Sequence, residues 1–200
     1  MVTVALALLL AQTGSDPKLD AKFLLPAHYP AGSPVEDPNA LGGHGTSTNL
    51  PVTIARDELK GRGLTAFLAE SKQGVALFLG NDLESSWIPA ADGNILGYLE
   101  AKNAKGVWKP IQYHMWYWCG NSYHRVQIPA HRQLNWFAPI QHGSLKTKVR
   151  WRLNREEGDI VSNEVTFYMA PERFSLPSAL VKEHVIELGG RFPILKPKEK

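Results

Sequence analysis

From Leu50 onward, short apolar runs alternate with turn signals at fairly regular spacing, which is how an all-β chain reads. Strands are expected at 51–55 and 64–69, and again at 75–79 (VALFL), a continuous apolar run suited to a central strand covered on both faces. Residues 91–94 (ADGN) form a turn, 95–101 a strand, and 103–106 (NAKG) a hairpin turn. The long aromatic stretch 107–119 is read as one strand, turned by Gly120-Asn121-Ser122 into a returning strand at 123–128. After a break at Pro129, strands follow at 134–138, 145–153 and 160–169, the last two joined by the Gly-containing loop 154–159 (NREEGD). Eight or nine strands with antiparallel connections predict an immunoglobulin-like antiparallel β-sandwich.

The flanks read differently. Residues 2–11 (VTVALALLLA) are an apolar run of signal-peptide length, too short for a membrane span, although no Lys or Arg precedes it. Small and polar residues follow, so 1–13 is expected to be a signal peptide and the protein to be extracytoplasmic, either periplasmic or secreted. The alternative for this run is a buried N-terminal strand. No cysteine follows closely, which argues against a lipoprotein anchor. Residues 14–50, rich in Pro, Gly, Ser, Asp and Asn, are expected to be a flexible spacer. The β-sandwich domain is expected over 51–170 and a C-terminal extension over 171–200. Within the extension, 177–188 reads equally as a short helix or an extended strand, and 196–200 is a basic tail.

Composition narrows this picture without naming a function. Apolar residues at 44% and charged residues at 20% are globular values. One cysteine permits no intrachain disulfide, and 200 residues bury enough core to fold without one. A net charge of +3 is too small to imply nucleic acid, which calls for a dense basic patch. No later segment approaches the roughly 18 apolar residues of a transmembrane helix.

Two stretches carry candidate chemistry. Residues 114–125 read HMWYWCGNSYHR and hold the single cysteine between histidines and aromatics. On a strand, His114, Trp116 and Trp118 share one face, and Trp116 and Trp118 are the candidates for an exposed aromatic, sugar-binding surface. Cys119, His124 and His114 offer ligands for a mononuclear metal or redox site. The alternative is a small core cysteine before a turn and half-buried strand histidines. The next methionine, Met169, is too distant for a copper-type ligand loop, so no cofactor is expected.

The second stretch is 145–153 (LKTKVRWRL), which alternates cleanly. Leu145, Thr147, Val149, Trp151 and Leu153 point inward, and Lys146, Lys148, Arg150 and Arg152 form an outward ladder with steps of about 7 Å. Such a row repels itself unless neighbouring strands supply carboxylates. Either they do, or the row binds an anionic glycan, phosphate-rich polymer or acidic protein, with Arg125 at its margin. No catalytic residues are expected. There is no Gly-x-Ser-x-Gly elbow and no phosphate-binding Gly-rich loop. The carboxylate pairs Asp57-Glu58 and Glu156-Glu157 are adjacent residues that diverge into solvent.

The order Gly80-Asn81-Asp82, Gly106-Val107-Trp108-Lys109-Pro110-Ile111, Cys119-Gly120-Asn121-Ser122-Tyr123 and Leu145-Lys146-Thr147-Lys148 resembles a group of uncharacterised exported bacterial proteins. That resemblance spans about half the chain. It implies an immunoglobulin-like sandwich outside the cytoplasm and brings no activity with it. The resulting expectation is a non-catalytic, exported binding or structural module that meets a cell-envelope protein or anionic glycan, of no predicted oligomeric state.

Overall fold

Period-2 alternation, β-branched residues and glycine turns dominate the chain, and the outcome is all-β. A computed structural model describes residues 25–40, 47–113 and 120–174. Its regular elements are strands and short 3-10 turns, with no α-helix among the described residues. In chain order the strands are β1 (Leu25–Pro26), β2 (Val52–Thr53), β3 (Thr65–Ser71), β4 (Gly74–Asn81), β5 (Ser86–Ala91), β6 (Asn94–Ile95) and β7 (Gly97–Lys102). They continue with β8 (Trp108–Pro110), β9 (Gln112–Tyr113), β10 (Tyr123–Ile128), β11 (Arg132–Pro139), β12 (His142–Leu153), β13 (Ile160–Val161) and β14 (Val165–Met169).

Three antiparallel sheets result. One has the order β10-β5-β6 and a second β2-β11-β4-β3. The third runs β13-β12-β7-β8, with β14 continuing beside β12. β1 and β9 form a separate parallel pair. All three sheets contribute to one hydrophobic core, which includes Leu77, Ile88, Leu99, Val126, Leu134, Trp151 and Phe167. β4 is central in its sheet, as an apolar run should be, and the Arg56 guanidinium covers its outer face by lying over the rings of Phe67 and Phe78 at 5.2 and 4.9 Å. At one edge, Asn163 replaces a strand partner. Its amide accepts from Leu68 N at 2.7 Å and donates to Leu68 O at 3.0 Å, while Glu70 accepts from Thr166 N at 3.1 Å. Side chains thus stitch β3 to the β14 edge of the neighbouring sheet, leaving both edges less open to foreign strands.

Several expectations need correction. The stretch 107–119 is not one strand. It breaks at Ile111, which buries its side chain and donates its N–H to Leu99 O at 2.9 Å. Gln112 then turns inward, and its Oε1 accepts from the Tyr29 hydroxyl at 2.6 Å and from Leu99 N at 2.9 Å. Residues 95–101 are split between β6 and β7, and 160–169 between β13 and β14, where Ser162 bonds Trp151 of β12 through its N–H and its Oγ and Asn163 turns its amide to Leu68 of β3. β5 was not expected at all. Pro89 sits within it and normally argues against a strand, yet it pairs with Arg125 of β10.

The expected spacer departs furthest from expectation in its described part. Tyr29 is fully buried between Trp136 and Trp151, edge-on to both at 5.7 and 5.9 Å. Its carbonyl accepts from Ile95 N at 2.9 Å, and Ala31 N donates to Gly93 O at 2.7 Å, so 29–31 runs along the open side of β6. A buried aromatic outweighs the turn-rich composition around it. The apolar run 2–11, the remaining N-terminal spacer residues 14–24, the segment 177–188 and the basic tail lie outside the described residues. Among the described residues, no helix is long and apolar enough to cross a membrane.

Candidate functional site

β12 carries the basic ladder, and its burial alternates as its sequence does. Thr147, Val149, Trp151 and Leu153 are buried, Lys146 and Lys148 exposed, and Arg150 and Arg152 intermediate. The difference within the ladder comes from the neighbouring strands. Register sets Arg150 opposite Glu100 and Arg152 opposite Tyr98 on β7. Glu100 is buried, and one of its oxygens accepts from Arg150 Nε at 2.8 Å and from Arg152 Nε at 3.2 Å. Arg152 also pairs with Asp159 through Nη1. Burial works against the Arg152 charge, but Glu100 and Asp159 outweigh it and hold the guanidinium pKa above its ordinary value. Arg150 lies over the Trp108 ring at 4.0 Å, and Lys102 approaches the same ring at 4.9 Å. The C-terminal half of the ladder is therefore a neutralised, stacked structure.

The N-terminal half is not. Lys148 Nζ donates to Thr166 Oγ1 at 2.8 Å, and Lys146 Nζ lies 5.7 Å from the centre of the Tyr168 ring. Neither lysine has a carboxylate in ion-pair reach among the described residues. Strand β7 stops pairing with β12 at Ala101, opposite Val149. Beyond that point the Thr147 hydroxyl donates to Lys102 O at 2.6 Å, and the chain turns away through Asn103–Gly106. Asn103 Oδ1 holds this turn by accepting from Lys105 N at 2.9 Å and Val107 N at 3.0 Å. The departure leaves an open recess of about 730 Å³ whose polar lining includes Lys102, Asn103, Lys146, Lys148 and Thr166.

Replacing Glu100 tests the neutralised half. Glu100→Gln keeps the shape but leaves two largely buried guanidinium groups short of charge. Because Arg152 retains Asp159 and Arg150 retains Trp108, the expected loss is about 2 kcal/mol in urea unfolding. Unchanged stability would mean that the two arginines do not depend on this carboxylate.

The other sequence candidates are dispersed. Arg125 lies on β10, in a different sheet from the ladder, where it forms a two-pronged pair with Asp37 and stacks on Trp87 at 5.2 Å. His124 is buried, with Nδ1 3.0 Å from Ser122 O. His114, Trp116, Trp118 and Cys119 lie outside the described residues. Among the described residues, no group of three His, Cys, Asp or Glu side chains is placed to hold a metal ion.

No protein-family model, curated protein or solved structure matches this chain.

Sequence reasoning found Lys146 and Lys148 but missed Lys102, Thr166, Tyr168 and Trp108, which complete the same face. The signal for Thr166 and Tyr168 was present, since they share one side of a period-2 strand; what was lacking was the register that pairs them with Lys148 and Lys146.

Proposed function

We propose that this protein is an exported, non-catalytic module with an immunoglobulin-like sandwich that binds an anionic partner of the cell envelope. The Lys146–Lys148 end of β12 would make the contact. One observation carries this reading: two exposed lysines without carboxylate partners, on a strand whose other two cations are neutralised. A row kept merely for solubility would not explain why the uncompensated charge gathers beside an open recess. Exposed Tyr168, at 51%, adds an aromatic face next to Lys146 on which a sugar ring can pack. Export is supported by the apolar run 2–11, and the absence of catalytic machinery by the lack of nucleophile and phosphate-loop motifs.

The test is charge reversal. Lys146→Glu combined with Lys148→Glu is expected to weaken binding to an anionic-polymer surface, polygalacturonate or polyphosphate, by at least about tenfold, equivalent to about 1.4 kcal/mol. Both side chains are exposed, so folding stability should move by less than about 0.5 kcal/mol. Binding by the parent should itself fade toward 1 M salt, where the screening length is about 3 Å. Undiminished binding by the double variant would move the site elsewhere.

A further inference from the structure

Building on the anionic-partner reading, we infer that the recess between β7 and β12 recognises a phosphate monoester group, not a carboxylate. Three lysines line it: Lys102 at the end of β7, and Lys146 and Lys148 on β12. The register that sets Ala101 against Val149 makes Lys102 and Lys148 the next residues along their strands. Like charges on neighbouring strands destabilise a sheet, so this arrangement has a cost that an anion would relieve. The carboxylate that offsets it is Glu164, 3.8 Å from Lys102 Nζ. Glu70, which accepts from Thr166 N, is in ion-pair reach of none of the three ammonium groups, so three ammonium groups against the one paired carboxylate leave the recess about two charges positive. A phosphate monoester carries about −1.5 to −2 at pH 7 and presents three acceptor oxygens. A single carboxylate would leave half of that charge unmatched.

Ligand geometry is compatible with this assignment. The guanidinium fork suits carboxylate and phosphate alike, and the ammonium of lysine binds phosphate as a point charge with rotatable donors. The guanidinium groups of this face are occupied by Glu100 and Asp159. The cations left for a ligand are lysines, joined at the recess by the Thr166 hydroxyl and the Asn103 amide. A recess of about 730 Å³ also has room for the group that bears the phosphate. His142, at the start of β12, stacks on Phe167 and bonds the Lys72 carbonyl, and it does not line the recess.

The experiment is a calorimetric titration of the full chain with glycerol phosphate, inorganic sulfate and galacturonate as probes. At pH 7.5, glycerol phosphate is expected to bind about tenfold tighter than galacturonate. Between pH 7.5 and 5.5 the monoester loses charge through its second pKa near 6, so its affinity should fall by up to about fourfold. Sulfate keeps its charge over that range and reports any contribution from the protein itself; its affinity should stay constant. Lys148→Gln, alone or with Lys102→Gln, should weaken glycerol phosphate binding about tenfold, and Lys105→Gln, in the same turn but not among the residues that line the recess, should not. Galacturonate binding as tightly as the monoester would overturn the phosphate assignment and leave the anionic-partner reading standing. If glycerol phosphate, polygalacturonate and polyphosphate all failed to bind, both would fall.

Discussion

Gly97→Ala is expected to cost about 3 kcal/mol or more and to lower the melting temperature by roughly 6–12 °C. Gly97 opens β7 opposite Leu153, and the Trp151 indole lies directly across it. A Cβ at position 97 would sit 2.8 Å from Cη2 of that ring and nearer still to Cζ2 and Cε2. Nothing flexible stands between them. The ring is fully buried and meets Tyr29 edge-on at 5.9 Å, and Tyr29 is itself braced by Trp136 at 5.7 Å. Moving the indole therefore disturbs all three aromatics at the centre of the core, and protein interiors have no spare volume to absorb such a shift. Gly63→Ala is the control, because its Cβ would meet nothing within 4 Å; it should be neutral or slightly stabilising. Urea unfolding with tryptophan fluorescence measures both. A parent-like midpoint for Gly97→Ala would show that Trp151 does not lie against β7 at this point.

That steric relation illustrates what one-dimensional pattern conveys and what it leaves out. The phase of β12 was legible because alternation is a local property: Trp151 falls on the buried face and the four cations on the other. The same holds for β10, where His124, Val126 and Ile128 are buried and Arg125 and Gln127 are intermediate. Which groups meet those side chains depends on register and on distant segments. Glu100 lies in the run GYLEAK, which gives no sign that its carboxylate neutralises two arginines fifty residues away. Tyr29 and Asp37 sit among prolines and glycines, so composition argued for a spacer, although a single buried ring or carboxylate is enough to dock such a segment. For the candidate site, the two uncompensated lysines were legible as part of a uniform ladder. The distinction between them and the neutralised arginines was not, because it arises from where β7 ends.

Removing the Asp37 carboxylate is expected to destabilise the fold by about 2–3 kcal/mol at pH 7. Its side chain is fully buried, and it accepts four hydrogen bonds: from Asn39 N at 3.0 Å, and from Arg125 N, Nε and Nη2 at 2.9, 3.1 and 2.7 Å. Breaking a buried ion pair from one side costs about 3–5 kcal/mol. Here the Arg125 side chain is 33% exposed, and water can recover part of its charge, so the cost is lower. The substitution also uncovers a strand edge. Asp37 receives Arg125 N–H and Ser33 Oγ receives Gln127 N–H at 3.1 Å, so side chains of 33–37 stand where a further strand would bond to β10. Asp37→Ala with Ser33→Ala should therefore associate more readily than either parent or single variant, as an open edge does.

The effect has a defined pH dependence. Burial alone would raise the Asp37 pKa, but the hydrogen bonds and charge of Arg125, with the Asn39 amide, outweigh it and hold the carboxyl below its ordinary value. A group whose folded pKa is depressed contributes stability above its unfolded pKa, about 3.9, and loses it as pH falls through the folded value. The difference between parent and Asp37→Ala should thus be constant from pH 7 to about 5 and shrink below about 4, as the parent's own carboxyl becomes protonated. Urea unfolding at pH 7, 5, 4 and 2.5 measures it. A difference that persisted undiminished at pH 2.5 would assign the loss to packing and not to the ion pair, and no difference at pH 7 would mean that segment 33–39 is not anchored by this contact.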